Sequence, residues 1–254
     1  MRFEERVAKL RIEKHIGRET SEFLNDVVKM AQGEAFEYLM GEVNFCGAKV
    51  DLSLRPMIPR PETEFWVGQA IEQIAISNKQ TVVRVLDIFS GSGNVGLAVL
   101  KNIPESQVDF IEYNTKLKEQ IEISIEKNKF EKSRTNVLIG DVFDLHRPCL
   151  CKYNYIFAVP PYVPPQMREE VMKELGAEDP LCFFDKEDGF FYIKKVLKEV
   201  RNYLNKGGTL FIEFDITYRE KIEELVKENN FQNYCFLKDP YGHECCMALK
   251  ILDK

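Results

Sequence analysis

The chain has 254 residues, 44% of them hydrophobic and 30% charged, which suits one α/β domain with a small appendage and a core of its own. A net charge of −6 and a pI near 5.4 speak against a broadly basic nucleic-acid surface. No apolar run approaches the ~18 residues of a membrane span, and the N-terminal stretch lacks the apolar heart of a signal peptide, so a cytoplasmic location is expected.

Residues 1–40 read as helix, with Phe3, Val7, Leu10, Phe23, Leu24, Val27 and Val28 at helical spacings and a break at Gly17 before a new cap near Ser21. Residues 41–61 read as a β-hairpin turning at Gly47-Ala48, then a stiff connector in which Pro56, Pro59 and Pro61 fix the backbone. Helical periodicity resumes over 62–76. From there strands and helices alternate: strand Val82–Ile88, helix Asn94–Leu100, strand Val108–Glu112, helix Thr115–Asn128, strands Val137–Ile139 and Tyr155–Val159. Helix Asp188–Leu204, strand Thr209–Phe214 and helix Tyr218–Asn229 follow, then two strands, Tyr234–Leu237 and Cys246–Leu252, around Asp239-Pro240-Tyr241-Gly242. Alternation implies a parallel sheet covered on both faces, and a closing hairpin reverses the last strand. The expected fold is therefore a Rossmann-like α/β domain over residues 62–254, with a mixed seven-stranded sheet whose last strand is antiparallel.

Cysteines stand at 46, 149, 151, 182, 235, 245 and 246, an odd number without a CxxC pair, and read as reduced buried thiols. His243, Cys245 and Cys246 would be a conceivable metal site, but a strand with small buried thiols is the simpler reading, and no metal is expected.

Chemistry concentrates at strand ends. Asp87-Ile88-Phe89-Ser90-Gly91-Ser92-Gly93-Asn94 is an apolar strand running into an acid, a small-residue turn and a helix start. Gly91, Gly93 and Gly96 formally meet G-x-G-x-x-G, a weak signal alone. Asp87 would repel a pyrophosphate but suits the cationic end of S-adenosylmethionine. Glu112, followed by Tyr113, can accept both hydroxyls of a ribose, and Asp141 can accept from an adenine amino group while Val142 packs on the ring. Val159 also lies at this edge. Three acids at three successive strand ends point to an adenosine-bearing cofactor more strongly than any one of them.

Ile58-Pro59-Arg60-Pro61-Glu62-Thr63-Glu64, Gly33–Glu42, Asp141, Pro160-Pro161-Tyr162, Glu187-Asp188-Gly189, and Lys238-Asp239 with Gly242 together resemble the HemK/PrmC family of release factor glutamine methyltransferases, over residues 32 to the C-terminus. The resemblance implies S-adenosylmethionine as cofactor and the GGQ loop of a peptide-chain release factor as protein substrate. No membrane or direct nucleic-acid partner is implied, and a monomer is expected. The family's helical N-terminal domain is about twice as long as residues 1–40, which are expected to be a truncated form of it.

The family motif is Asn-Pro-Pro-Tyr, and Val159 stands in the asparagine position. The resemblance implies that position 159 and the Pro160 carbonyl accept the two N–H protons of the substrate amide, that Pro161 and Tyr162 wall the substrate pocket, and that Arg60 and Pro61 meet the substrate. Tyr162 also reads as a core-edge aromatic, and Arg60 as an exposed charge. Valine accepts no hydrogen bond, and one missing acceptor costs ~1–3 kcal/mol, about 10- to 100-fold in rate. Slow transfer to a glutamine amide is thus the first expectation. A binding protein with little turnover, or a methyltransferase for another protein or nucleic-acid acceptor, is the alternative.

Overall fold

A computed structural model describes residues 1–77, 82–141, 143, 152–175 and 178–252, and the side chains of residues 174–175 are outside that description. Val142, Cys149 and Cys151, named above, lie outside the described residues.

Seven strands form one sheet: β3 (Val83–Ile88), β4 (Ser106–Glu112), β5 (Thr135–Ile139), β6 (Tyr153–Ala158), β7 (Leu204–Glu213), β8 (Tyr234–Lys238) and β9 (Glu244–Lys250). Their order is β5-β4-β3-β6-β7-β9-β8. β3 through β7 pair in parallel, and β9 runs antiparallel to both its neighbours. The mixed sheet and its reversed last strand are as the alternation predicts. β1 (Glu42–Phe45) and β2 (Ala48–Asp51) form a separate hairpin. Its turn falls at Cys46-Gly47 rather than Gly47-Ala48, because both residues adopt positive φ, 46° and 80°, as a two-residue hairpin loop requires.

Two apolar layers hold the sheet. α4 (Pro61–Ser77), α5 (Asn94–Asn102) and α6 (Thr115–Lys127) contribute Trp66, Ile74, Leu97 and Ile121 to one layer, with Phe157 and Phe211 from the strands. α8 (Phe191–Glu199) and α9 (Arg219–Glu228) contribute Ile193, Leu197, Ile222 and Val226 to the other. A third cluster, Leu10, Phe23, Met30, Phe36 and Leu39, joins α1 (Phe3–Lys9), α2 (Ser21–Ala31) and α3 (Phe36–Met40). α2 starts at Ser21, with Thr20 as its cap: Thr20 Oγ1 accepts the Phe23 N–H at 3.2 Å.

Two elements depart from the periodicity. A helix α7 (Arg168–Leu175) was not foreseen. The helix expected over 188–204 is α8 followed by a 3-10 turn over Val200–Asn202, and β7 already begins at Leu204. The reason for the late start is Asp185, a buried carboxylate that accepts backbone N–H groups from Glu187, Gly189, Phe191 and Tyr192 at 2.9–3.3 Å. It ties residues 185–192 into a turn, with Gly189 at φ 89°, before the helix can propagate. Among the cysteines, Cys245 and Cys246 are buried in β9, but Cys235 is exposed and Cys46 and Cys182 are half-buried. His243 pairs with Asp239, Nδ1 to Oδ2, at 3.0 Å.

Candidate active site

β3 delivers Asp87 to the carboxyl edge of the sheet, and the chain then turns sharply through residues 89–93. Phe89 is held at φ 60°, an unfavourable region for a residue with a Cβ. Ser90 locks the turn: its Oγ lies 2.8 Å from the Asp87 carbonyl and 3.1 Å from that of Ile111. Gly96 is required by packing. A Cβ there would lie 2.3 Å from Phe110 Cε1 and 3.0 Å from Asp87 Oδ2, so the glycine lets α5 close against β4. Its N–H donates to Asp87 Oδ2 at 2.9 Å.

Asp87 is buried, and burial pushes its carboxyl up to about 8; the Gly96 N–H opposes this and the Glu112 charge adds to it. Glu112 is buried too. Its Oε2 accepts the Gly91 N–H and its Oε1 the Asn114 N–H, each at 2.7 Å. Burial raises the Glu112 carboxyl, and the bonds from Asn114 and Gly91 work against it. A carboxylate has about four lone-pair sites, so these two bonds leave acceptor capacity for a ligand. Asp141 accepts the Phe143 N–H through Oδ1 at 3.0 Å.

Parallel pairing of β3, β4 and β5 brings these three acids to one cavity of about 350 Å³. Phe89, Ser90, Gly91, Ser92, Asn94 and Tyr113 line it as well. So do Pro59 and Arg60 from the connector and Val159 and Pro161 from the loop after β6, so the two proline-stiffened segments meet at one site. Of the other residues singled out, Gly93 lies behind the lining as the left-handed cap of α5, and Pro160 is buried. Pro61 lines a neighbouring open groove of about 740 Å³, which shares Ile58, Pro59 and Arg60 with the cavity. Arg60 is no free surface charge: its guanidinium pairs with Glu178 at 2.7 Å, and Glu178 Oε2 accepts the Ile58 N–H at 2.9 Å.

Tyr162 is not among the residues that line the cavity, in keeping with its reading as a core-edge aromatic; its hydroxyl donates to Glu213 Oε1 at 3.2 Å. Burial, with the Glu213 charge, raises its phenol well above the usual value. Glu213 closes β7 and was not anticipated. Its Oε2 accepts from Thr63 Oγ1 at 2.7 Å and Trp66 Nε1 at 2.6 Å. Burial raises its carboxyl while those donors, with Tyr162, lower it. The signal was present in the sequence, since Glu213 is a fourth acid at a strand end, after Asp87, Glu112 and Asp141. Asp179, Leu181, Cys182 and Lys186, which also line the cavity, were missed, since they come from a segment without helical or strand periodicity; Tyr192, in the first turn of α8, was missed as well.

Solved structures with the same fold include the catalytic domain of human Mettl16 in complex with the MAT2A 3′UTR hairpin 6, at a TM-score of 0.63 and 10% identity over 100% of this chain and 94% of that one. The human methyltransferase 10 domain containing protein gives 0.57 and 16% identity, covering 82% and 90%. The sheet, the glycine turn and the cavity at its carboxyl edge define a Rossmann-like, S-adenosylmethionine-dependent methyltransferase. Residues 59–206 match the family model described as Conserved hypothetical protein 95. A release factor glutamine methyltransferase of Thermodesulfovibrio yellowstonii is 31% identical over 221 residues, 85% of this chain and 76% of that protein. One from Streptococcus pneumoniae is 28% identical, over 88% of this chain and 78% of its own length. The chain belongs to the release factor glutamine methyltransferase family.

Proposed function

We propose that the chain transfers a methyl group from S-adenosylmethionine to the side-chain amide nitrogen of a glutamine in a peptide-chain release factor. The observation that carries this reading is the single cavity in which a row of strand-end acids meets both proline-stiffened segments. The residues suit the cofactor. Asp87, buried beside the turn of Ser90, Gly91, Ser92, Gly93 and Asn94, answers its positive charge. Glu112, with acceptor capacity left over, takes the ribose hydroxyls beside Tyr113, and Asp141 takes the adenine amino group. When bound, the cofactor supplies an electrophilic methyl group.

The chain's own part is to orient a weak nucleophile. An amide nitrogen has a delocalised lone pair, so it attacks only when its N–H groups are held and its approach is fixed. The Pro160 carbonyl offers one acceptor beside Val159. Pro59, Arg60 and Pro161 set the approach, with Arg60 fixed in turn by Glu178. The acceptor is protein-sized in this reading because the cavity adjoins the broad groove lined by residues 32–38, Pro61 and Glu64. Glu34, Glu37, Glu64 and Glu178 outnumber Arg6 and Arg60 along that groove, a poor match for a phosphate backbone.

The test is to incubate the protein with S-adenosylmethionine and a release factor and sequence the GGQ-containing peptide by tandem mass spectrometry. One methyl group on the glutamine side chain is expected. A methyl group on another residue, or none under single-turnover conditions, would refute the assignment.

A further inference from the structure

The Glu213 cluster answers a question raised by Val159. Ala158 pairs with Ile212 in the parallel β6–β7 ladder, so positions 159 and 213, each one residue further, are neighbours at the carboxyl ends of the two strands. Phe157 and Phe211, two residues before each, sit in the apolar layer that also holds Trp66, and Val159 packs against that same layer. Residues two apart on a strand share a face, so Glu213 belongs to the side where α4 begins. Its bonds to Thr63 and Trp66, both in α4, agree.

Thr63 is 5% exposed, yet it lines the cavity together with Val159. A hydroxyl has one proton and two acceptor lone pairs. Thr63 Oγ1 donates its proton to Glu213 Oε2, the oxygen that also accepts from Trp66 Nε1. The Thr63 oxygen therefore has its hydrogen committed elsewhere and can serve a ligand only as an acceptor, on a buried residue that lines the same cavity as Val159.

We infer that Thr63 Oγ1, polarised by Glu213, accepts one N–H of the substrate amide in this chain and so substitutes for the carbonyl oxygen that Val159 lacks. This rests on the glutamine-transfer reading above. Together with the Pro160 carbonyl it restores a two-acceptor clamp, now drawn from α4 and the loop after β6. Glu213 is a positioning residue, since it acts through the Thr63 hydroxyl. No bond is made or broken at either residue; their effect is on the orientation of the nucleophile.

The experiment is single-turnover methylation of a release factor by the full chain and four variants: Thr63→Val, Thr63→Ser, Val159→Asn, and Thr63→Val combined with Val159→Asn. Cofactor affinity by calorimetry and thermal unfolding are measured on each. Thr63→Val keeps the shape and removes the oxygen, and should slow transfer about 10- to 100-fold, the worth of one acceptor. Thr63→Ser should stay close to wild type. In the Val159→Asn background Thr63→Val should cost much less, because the asparagine carbonyl supplies the acceptor again, and this coupling is what a merely structural threonine would not show. Cofactor affinity should be unchanged throughout. Equal rates for wild type and Thr63→Val, or an equal loss in both backgrounds, would overturn the inference while leaving the glutamine reading standing. A wild type that fails to methylate the release factor would overturn both.

Discussion

A carboxyl sealed into a protein interior resists ionisation, and Asp87 is held up to about 8 for that reason. The sign of the consequence follows. A folded-state value above the unfolded one, near 3.8, means that Asp87 favours the folded state fully below about pH 4. That contribution fades as pH rises through about 8. A cationic ligand beside Asp87 reverses the preference by favouring the ionised form. S-adenosylmethionine binding near pH 7 should therefore release protons, seen as a dependence of the calorimetric heat on the ionisation enthalpy of the buffer. The thermal shift given by the cofactor should be larger at pH 8.5 than at pH 6. No proton release and a pH-independent shift would remove Asp87 from the cofactor's charge. Glu112→Ala should weaken cofactor binding clearly in the same calorimeter, because its spare acceptor sites have no substitute; unchanged affinity would take Glu112 out of the site. At Val159, asparagine is close to valine in volume and would face the cavity, so Val159→Asn should raise the single-turnover rate with cofactor affinity unmoved. The gain should be modest if Thr63 already fills the role.

Two elements fix the site from outside. α5 can approach β4 only because position 96 has no side chain, and Gly96→Ala would drive a methyl into Phe110 and against the Asp87 carboxylate. Overpacking of this kind costs about 1–3 kcal/mol, and each kcal/mol lowers Tm by about 2–4 °C in a chain of this size. Scanning calorimetry should show that loss together with weakened cofactor binding, since the same contact orients Asp87. The proline connector is strapped by Glu178 to Arg60 and to the Ile58 N–H. Glu178→Ala should free Arg60 and raise KM for the release factor, with little change in cofactor affinity by calorimetry; an unchanged KM would leave the strap a structural device. At this scale the sequence was a good guide wherever periodicity ran unbroken, as in α6 and β4. It misplaced α8 because Asp185 diverts the backbone of residues 185–192 into side-chain bonds, a tertiary choice that apolar spacing does not record.

Across the whole molecule, the sheet and its reversed last strand follow from strand–helix alternation and the closing hairpin. The acids at strand ends followed from one rule, that open α/β sheets bind ligands at their carboxyl edge. The same rule covers Glu213, the acid that ends β7. Tyr162 shows a limit: a motif position says which residue follows a strand, but the direction of its ring was decided by a buried carboxylate fifty-one residues away. The lining from Asp179 to Lys186 became visible only once the chain was folded, because its residues share no spacing. In the proposed reaction one cavity serves both the cofactor and the acceptor amide. The most direct test is a crystal structure with S-adenosylhomocysteine bound. The ribose is expected on Glu112, the adenine at Asp141 and the sulfur turned toward Val159 and Pro160, within reach of Thr63. A ligand lying elsewhere, or with its sulfur turned away from the loop after β6, would contradict this reading.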